Sequence, residues 1–407
     1  MTGFFTIKET QSQKRPNGKV LSCHACGLYR KVQSPKMQPF GNFKKGIMNI
    51  GEAPTENDDI NGKHWQGQSG KFLKNTYAKL GIDLFEDCIN INAINCRPVK
   101  SGKNRTPANF EIDCCRRIVL DAIKQYKPKV IILFGNSPLQ SIIGNRWKDS
   151  LDGIAKWRGW TIPDQELKCW ICPTLHPSYV MQMEKNKGIE VVWIEDLGRA
   201  FSRVDEPFPF FKEPEIIELT DLTELNKIPN LSTVAIDYET TGLKPHAKGH
   251  RIVTASVATN EDTVYVFEMP KKAIDRKPFV KLLKNKYIKK IAQNMKFEHT
   301  WSKVILKTTV RNWWWDTMLA THVLDNRSGI TGLKFQVYVR FGVIDYNSTV
   351  EKALKAPTSN DLNQIKQFIS KPKNKAEMLR YNALDSIFEY RLAMLQQKLI
   401  GESIIPF

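Results

Sequence analysis

The chain has 407 residues, which is enough for two domains with complete hydrophobic cores. Hydrophobic residues make up 41% of the chain and charged residues 25%, which excludes a disordered or fibrous protein. No stretch approaches the roughly 20 apolar residues of a membrane span. The net charge is +19 and both halves of the chain are basic, which favours polyanion binding by each half.

Short apolar runs alternate with helical patterns in the first half of the chain. Strands are predicted at IMNIGEA, CININAINC, VIILFG and CWICPTL, and helices around residues 69–81, 110–126 and 136–144. This alternation predicts an α/β/α domain over residues 1–204, in which helices cover both faces of a parallel sheet. The proline-rich stretch 205–218 predicts a linker.

Three strand-like segments follow the linker, namely STVAIDYET, RIVTASVAT and TVYVFEM. They have an antiparallel character and precede mostly helical sequence, so residues 219–407 are predicted to form a second α/β domain with a mixed sheet. All eight cysteines lie in the first 172 residues, which also indicates a domain boundary. Residues 1–19 lack the apolar core of a secretory signal, so we expect a cytoplasmic protein with reduced thiols.

Two pairs of side chains in the second half are spaced so that each pair points to one place. Asp237 and Glu239 are two residues apart on a predicted strand, and Tyr381 and Asp385 are four apart on a predicted helix. Carboxylate oxygens suit Mg²⁺ or Mn²⁺, and two such ions can hold the attacking and leaving oxygens of a phosphodiester. The pattern therefore predicts a nuclease.

Polar loops follow three of the predicted strands in the first half: GEAPTENDD, INAINCRP and TLHPS. Ligands of parallel α/β sheets bind beyond the carboxyl ends of the strands, so we expect these loops to line one pocket. The same half contains candidate thiolate ligands at positions 23, 26, 96 and 114–115. Thiolates suit both zinc and an iron–sulfur cluster, and their spacing does not separate the two.

Seven motifs of the first half occur in an order that resembles the iron–sulfur uracil-DNA glycosylases of family 4. They are CxxCxL, GEAPxxxxD, GxxWxGxxGKxL, NxxxCRP, NRTP before a cysteine-bearing helix, WRG and HPS. The resemblance covers residues 20–200 and implies a 4Fe–4S cluster, with zinc as the alternative. The implied ligands are Cys23, Cys26, Cys96 and Cys115, the last preferred over Cys114 by its register in the family pattern.

The same resemblance implies a pocket for a uracil base flipped out of DNA. Trp65, in place of the family's usual Phe, would stack on the base, and Asn92 would read its amide edge. His176 would stabilise the departing uracilate, and Glu52 would orient the attacking water or the sugar. Thr55 replaces a family Gly and Trp65 is bulky, so the alternative is an inactive domain that binds DNA or senses uracil.

The second half, over residues 230–400, resembles the tyrosine-containing DEDD 3′–5′ exonucleases that proofread for family A DNA polymerases. The matching motifs are DYETTG, NxxxE within QNMKFEH, and YNALD. The resemblance implies that DNA 3′ ends are the substrate and that Tyr381 orients the attacking water. It also implies metal ligands at Asp237, Glu239 and Asp385, whereas Glu298 replaces the family's Asp and puts the second metal ion in doubt.

This order of domains resembles the front end of some bacteriophage family A DNA polymerases. It implies that the partners are DNA, including uracil-containing DNA, and a DNA polymerase core subunit, in the cytoplasm of a bacterial host. If no such subunit exists, the chain is expected to be a fragment of a longer polymerase. The remaining alternative is that the whole chain is an accessory subunit of a polymerase.

Overall fold

The computed structural model describes residues 21–404 except for 184 and 347–348, so the expectation about a secretory signal lies outside the described residues. The chain divides into two compact units. Of the described residues, the first unit contains those up to Phe211 together with Tyr338–Ile344, and the second contains Lys212–Val337 and those from Asp345 onward. No helix in the described part of the chain is long and apolar enough to span a bilayer.

The first unit has seven strands and seven α-helices among its described residues. The strands are β1 (Ile47–Gly51), β2 (Cys88–Asn92), β3 (Val99–Lys100), β4 (Lys103–Asn104), β5 (Val130–Phe134), β6 (Ile162–Asp164) and β7 (Cys169–Thr174). The helices are α1 (Glu56–Asn61), α2 (Gln68–Lys79), α3 (Asn109–Tyr126), α4 (Asn136–Ile142), α5 (Ile154–Trp157), α6 (Pro177–Gln182) and α7 (Lys187–Ser202), and a 3₁₀ helix covers Leu28–Lys31.

Five of these strands form one sheet in the order β2-β1-β5-β7-β6. The pairs among β2, β1, β5 and β7 are parallel, and only the edge strand β6 is antiparallel. Every residue of β1, β2, β5 and β7 is buried, which explains their nearly continuous apolar sequence. The predicted parallel α/β sheet is confirmed.

The described residues of the second unit form six strands, β8 (Glu215–Glu218), β9 (Thr233–Thr240), β10 (Ile252–Ala258), β11 (Thr263–Glu268), β12 (Lys289–Ala292) and β13 (Trp313–Asp316). Its helices are α8 (Lys277–Lys284), α9 (Lys296–Ile305), α10 (Thr317–Leu324), α11 (Leu333–Phe341), α12 (Glu351–Leu354), α13 (Ile365–Phe368) and α14 (Pro372–Ile404), and a 3₁₀ helix covers Leu222–Lys227. Helix α11 belongs to this unit up to Val337.

The second sheet has the order β13-β12-β9-β10-β11-β8. The predicted antiparallel trio is β9-β10-β11, whereas β8, β12 and β13 each pair in parallel with a neighbour, so the sheet is mixed as predicted. One face of the sheet packs against α14, through a cluster that includes Ala235, Ile291 and Ile387.

Two expectations about the chain's organisation need correction. The linker is shorter than the predicted stretch 205–218, because Glu215–Glu218 forms strand β8, which pairs with β11 in the second sheet. The stretch after the antiparallel trio, which was expected to be mostly helical, also contains the two strands β12 and β13. These strands, KKIA and WWWD, are only four residues long and do not alternate between apolar and polar residues, so their sequence does not distinguish them from helical segments.

Candidate active sites

In the first unit, the carboxyl ends of the parallel strands carry the polar residues that the sequence singled out. Glu52 follows β1, Asn92 ends β2 and His176 follows β7. A side chain at Gly51 would lie 2.3 Å from Oδ1 of Asn92 and 3.1 Å from the ring of Trp65, so only glycine fits there. The structure therefore brings these residues to one edge of the sheet.

The indole of Trp65 lies in the middle of this group and is 9% exposed. Its ring centre is 5.6 Å from that of Phe134 and 5.9 Å from that of His176, the latter at an interplanar angle of 32°. A base that stacks on Trp65 needs an open face of the indole, whereas His176 would meet the edge of that base. In this conformation the indole is almost wholly covered, so little open surface is left for a base to stack on.

Asn92 is held by His64, a residue that the sequence reasoning missed. Nδ2 of Asn92 lies 3.0 Å from Nδ1 of His64, and Nε2 of His64 lies 3.0 Å from the backbone carbonyl of Gln38. The carbonyl can only accept, so His64 carries its proton on Nε2 and accepts on Nδ1. Burial also lowers the pKa of His64, which keeps the ring neutral and fixes the amide of Asn92.

His176 is also held in one tautomer. It caps helix α6, and its Nδ1 accepts a hydrogen bond of 3.2 Å from the backbone N–H of Ser178. Burial lowers the pKa of His176 to about 4, so the ring is neutral at pH 7 and its proton lies on Nε2. Nearby, Glu52 accepts a hydrogen bond of 3.0 Å from Ser137, and burial raises the pKa of this glutamate.

Thr55, which departs from the family pattern, has a local structural role. Its backbone φ is −81°, so the position does not require glycine. Its side chain and that of Asp58 form a capping box at the start of α1, in which the Thr55 hydroxyl donates to Asp58 over 2.8 Å. The replacement of Gly by Thr is therefore explained by helix capping.

Four thiols of the first unit lie close enough to affect each other's ionisation. Burial raises the pKa of Cys96, and the charges of Cys23 and Cys26 raise it further by a smaller amount. Burial, together with the charges of the other three thiols, raises the pKa of Cys115 to about 12. The structure thus brings together Cys23–Cys26 near the start of the described chain, Cys96 after β2 and Cys115 on α3. Four thiols from distant segments that lie this close together are suited to a metal, which binds them as thiolates and so offsets the raised pKa.

In the second unit, Asp237, Glu239 and Asp385 have potential ligand oxygens within 4.8 Å of one another. The two β9 residues lie opposite Ser256 and Thr254 of β10, so both side chains project from the same face of the sheet. Asp385 reaches them from α14. Among the described residues, no other group of three His, Cys, Asp or Glu side chains has ligand atoms this close together.

Hydrogen bonds fix the carboxylates of this group. Asp385 accepts a hydrogen bond of 2.6 Å from the hydroxyl of Tyr346 and a second from Tyr381. The rings of these two tyrosines are stacked, with centres 5.9 Å apart. Asn382 donates from Nδ2 to a carboxylate oxygen of Asp237. Two acids of the group are therefore oriented by neighbouring donors.

Glu298 lies in the first turn of α9, is 2% exposed and is close enough to Asp237 for the two charges to interact. The helix is anchored by Asp316, which accepts hydrogen bonds from the backbone N–H groups of Asn294 (3.1 Å) and Met295 (2.9 Å). Asn294 has a left-handed φ of 62°, which turns the chain into α9. Glu298 therefore faces the acidic group but lies outside its closest three.

The acidic group carries more negative charge than its surroundings compensate. Burial and mutual repulsion raise the pKa of Asp237 and Glu239 well above the usual range, and burial raises the pKa of Asp385. The charge of Lys334, whose Nζ lies 5.9 Å from the ring centre of Tyr381, opposes this for Glu239 and Asp385. A buried group of carboxylates of this kind is suited to divalent cations.

Comparisons with known proteins match each unit to a family. Residues 38–198 match the uracil DNA glycosylase superfamily, and residues 216–400 match a 3′–5′ exonuclease family. A type-4 uracil-DNA glycosylase of Saccharolobus solfataricus is 34% identical over 186 residues, which are 44% of this chain and 81% of the relative. A DNA polymerase of Bacillus phage SP01 is 24% identical over 330 residues, which are 72% of this chain and 34% of the polymerase.

Among solved structures, Brucella melitensis NrnC with bound Mg²⁺ matches with 20% identity and a TM-score of 0.33, covering 47% of this chain and 82% of that one. Fold, sites and comparisons together define a two-domain DNA-processing protein with nuclease function. In its first unit the chain belongs to the type-4 uracil-DNA glycosylase family, and its second unit is a 3′–5′ exonuclease domain.

Proposed function

We propose that the second unit hydrolyses nucleotides from the 3′ ends of DNA with the help of Mg²⁺ or Mn²⁺. The convergence of Asp237, Glu239 and Asp385 within 4.8 Å supports this most directly, because these oxygens are the ligands that such ions prefer. Cations bound by these residues would stabilise the charge that develops on the attacking and leaving oxygens.

The neighbouring side chains have roles in the same reaction. Tyr381, already hydrogen-bonded to Asp385, orients the water that attacks the terminal phosphorus. The bond from that phosphorus to the 3′ oxygen of the preceding nucleotide breaks, the oxygen takes up a proton, and a nucleoside monophosphate leaves. Lys334, beside Tyr381, offsets negative charge on the bound phosphate.

The experiment uses DNA oligonucleotides labelled at either end, with Mg²⁺, and compares the wild-type protein with Asp237→Ala. The wild-type protein should shorten the 5′-labelled strand one nucleotide at a time and release the 3′ label first. Asp237→Ala should lose this activity, whereas Asp275→Ala, a change at an exposed loop aspartate, should keep it. Degradation by Asp237→Ala near the wild-type rate would refute the assignment.

We further propose that the exonuclease works on the products of a DNA polymerase. The support is that the similarity to a phage DNA polymerase extends over 72% of this chain, so it includes parts of both units. An unpaired 3′ end enters a single-strand nuclease site more easily than a paired one. Proofreading therefore predicts faster removal of a mismatched than of a matched 3′ nucleotide from a primer–template, and equal rates would contradict it.

For the first unit we propose recognition of uracil in DNA. Asn92 presents both a donor and an acceptor, and the neutral His176 can donate from Nε2 to the negative charge on a departing base. Glu52 would orient the water that attacks the sugar. The measurement is uracil release from oligonucleotides by Asp237→Ala protein, in which exonuclease activity does not interfere. Release that persists in His176→Ala would refute the role of His176.

A second candidate for the first unit is a DNA-binding or uracil-sensing module without catalysis. The burial of Trp65 favours this candidate, because an indole that is 9% exposed leaves little open surface for a base to stack on. The same oligonucleotides distinguish the two. A module without catalysis binds DNA but releases no uracil, whereas a glycosylase releases it.

We propose that Cys23, Cys26, Cys96 and Cys115 hold a 4Fe–4S cluster rather than zinc. Four thiolates around one zinc ion at about 2.3 Å would lie about 3.8 Å from one another. No three of these thiols lie within 4.8 Å of each other in the described chain, although their charges interact, and this wider spacing suits a cluster of several metal atoms. Metal analysis that finds zinc and no iron would overturn the proposal.

A further inference from the structure

The amide of Asn92 is oriented by two hydrogen bonds in series that begin at a backbone carbonyl. Nε2 of His64 donates to the carbonyl oxygen of Gln38 over 3.0 Å, and Nδ1 of His64 accepts from Nδ2 of Asn92 over 3.0 Å. Because a carbonyl oxygen can only accept, the imidazole proton is on Nε2, and the atom of Asn92 that faces Nδ1 must be the amide nitrogen. The two bonds therefore determine which way round the amide lies.

His64 is itself held in place. It is 1% exposed, and the loop that follows it is tied down by Asp58, which accepts a hydrogen bond of 2.6 Å from the backbone N–H of Gln66. The side chain of Gln66 donates to the backbone carbonyl of His64 over 2.9 Å. Burial lowers the pKa of His64, so the ring stays neutral and Nδ1 remains an acceptor. The orientation of the Asn92 amide is therefore set before a base arrives.

The amide oxygen of Asn92 points away from His64, toward the proposed base pocket. The position that a β-carbon on Gly51 would take is 2.3 Å from Oδ1 of Asn92 and 3.1 Å from the indole of Trp65. Oδ1 thus lies beside the ring that is proposed to stack on the base. Within the described part of the chain, Oδ1 accepts no hydrogen bond. This acceptor is therefore available to the edge of a base.

The direction of this amide decides between uracil and cytosine. Uracil carries a proton on N3 between two carbonyl oxygens, whereas N3 of cytosine has a lone pair beside an amino group. A fixed Oδ1 that faces the base accepts from N3–H of uracil but meets the lone pair of cytosine. An amide that is free to turn by 180° exchanges its oxygen and nitrogen and can match either base. A fixed amide therefore discriminates, and a free amide does not.

We propose that His64 is a positioning residue that makes the first unit select uracil over cytosine, by holding the amide of Asn92 with its oxygen toward the base. The inference rests on the proposed recognition of uracil and names the residue that sets its selectivity. His64 acts only through Asn92 and does not contact the base. Thymine presents the same edge as uracil, so cytosine is the base against which this selectivity is measured.

The experiment measures binding of single-stranded oligonucleotides to full-length Asp237→Ala protein by fluorescence anisotropy. The strands contain one 2′-fluoro-2′-deoxyuridine or one 2′-fluoro-2′-deoxycytidine, because the fluorine opposes the positive charge that develops on the sugar and so prevents loss of the base. This parent protein should bind the uracil strand about tenfold or more tightly than the cytosine strand. The additional His64→Phe change keeps an aromatic ring but removes the acceptor, so the preference should be lost.

The direction of the change separates positioning from damage to the fold. In His64→Phe the preference should be lost mainly because the cytosine strand binds more tightly, whereas a damaged pocket would weaken both strands. His64→Gln supplies one acceptor and one donor on a planar amide and should restore most of the preference. Tyr77→Phe is the matched control, because it removes another buried hydrogen bond of the same unit, 2.8 Å long, to Asn49. It should keep the preference of the parent.

The results also separate this inference from uracil recognition itself. A parent protein that binds both strands equally would refute uracil recognition, and the role of His64 with it. A parental preference that persists in His64→Phe would refute only the role of His64. If circular dichroism shows that His64→Phe does not fold, long-range ¹H–¹⁵N spectra of the histidine-labelled parent locate the proton. A proton on Nε2 of His64 is expected, and a proton on Nδ1 would overturn the proposal, because Nδ1 would then donate to Asn92.

Discussion

The hydroxyl of Tyr346 donates a hydrogen bond of 2.6 Å to Oδ1 of Asp385, a carboxylate that is also within 4.8 Å of Asp237 and Glu239. Tyr346 is 39 residues before Asp385 and belongs to none of the sequence motifs. A hydrogen bond to a charged group contributes about 1.5–3 kcal/mol, and the group is costly to bury once its donor is removed. Tyr346 therefore orients Asp385 when no cation is bound.

Replacing Tyr346 by Phe should lower the free energy of unfolding by about 1.5–3 kcal/mol without divalent cations, because Asp385 loses a donor. In saturating Mg²⁺ the loss should be smaller, since a bound cation interacts with the same carboxylate. Urea denaturation with and without Mg²⁺ measures both values. Tyr287→Phe, at a tyrosine that is 52% exposed, serves as the control. An equal loss under both conditions would show that Tyr346 does not act through Asp385.

Four side chains of the nuclease site could be predicted from the sequence, because the regular geometry of one strand and one helix determines where they point. A spacing of two on β9 and of four on α14 places Asp237, Glu239, Tyr381 and Asp385 on defined faces. Tyr346 and Lys334 carry no such signal, because they reach the site through tertiary packing that no periodicity records.

In the first unit, the prediction succeeded where strand ends determine position. Loops after parallel strands meet at one edge of a sheet, and the structure places Asn92 and His176 there. The direction of a side chain within the pocket was not predictable. Trp65 has a left-handed backbone, with a φ of 63°, which sequence periodicity does not reveal, and His64 holds Asn92 through a loop contact.

The neighbouring cysteines of α3 provide a matched pair for testing the cluster. Cys115→Ser should remove the iron and its visible absorbance and destabilise the first unit, because a thiolate ligand is lost. Cys114→Ser changes the adjacent buried thiol and should keep the iron. Iron content per chain and the absorption spectrum of anaerobically purified protein measure the effect. Cys23→Ser should lose iron as Cys115→Ser does. Loss of iron from Cys114→Ser but not from Cys115→Ser would show that Cys114, and not Cys115, is the ligand.

The neutral state of His176 predicts a pH dependence of stability. Its pKa is about 4 in the folded protein and about 6.5 in an unfolded chain. Between these values the unfolded state binds more protons, so the free energy of unfolding rises with pH from about 4 to about 6.5. His176→Asn should make this rise shallower. Only part of it should disappear, because burial lowers the pKa of His64 as well.

Urea denaturation of the first unit at several pH values across this window measures the slope. The comparison is with His246→Asn, at an exposed histidine of the second unit, which should leave the slope unchanged. A His176→Asn protein with the wild-type slope would mean that His176 titrates normally.

Replacing Trp65 by Phe should open the pocket between His176 and Asn92, because the phenyl ring is smaller than the indole. In Asp237→Ala protein, the additional Trp65→Phe change should increase the affinity for uracil-containing over thymine-containing oligonucleotides by about tenfold or more, since a stacked base contributes about 1–3 kcal/mol. If the unit is a glycosylase whose pocket Trp65 closes, uracil release should increase as well. Single-turnover release and equilibrium binding measure the two effects.

Trp193→Phe is the control for a general loosening of the core. Trp193 belongs to the same unit, is fully buried and is stacked on Phe72. This variant should neither bind nor release uracil better than its parent. Three outcomes are informative for Trp65. Release by the parent as fast as by Trp65→Phe shows that the indole moves aside readily, and so refutes the closed pocket. Tighter binding without release identifies a uracil-sensing module. No preference for uracil in either protein shows that Trp65 is not what closes the pocket, because the smaller ring would have exposed Asn92 to the base.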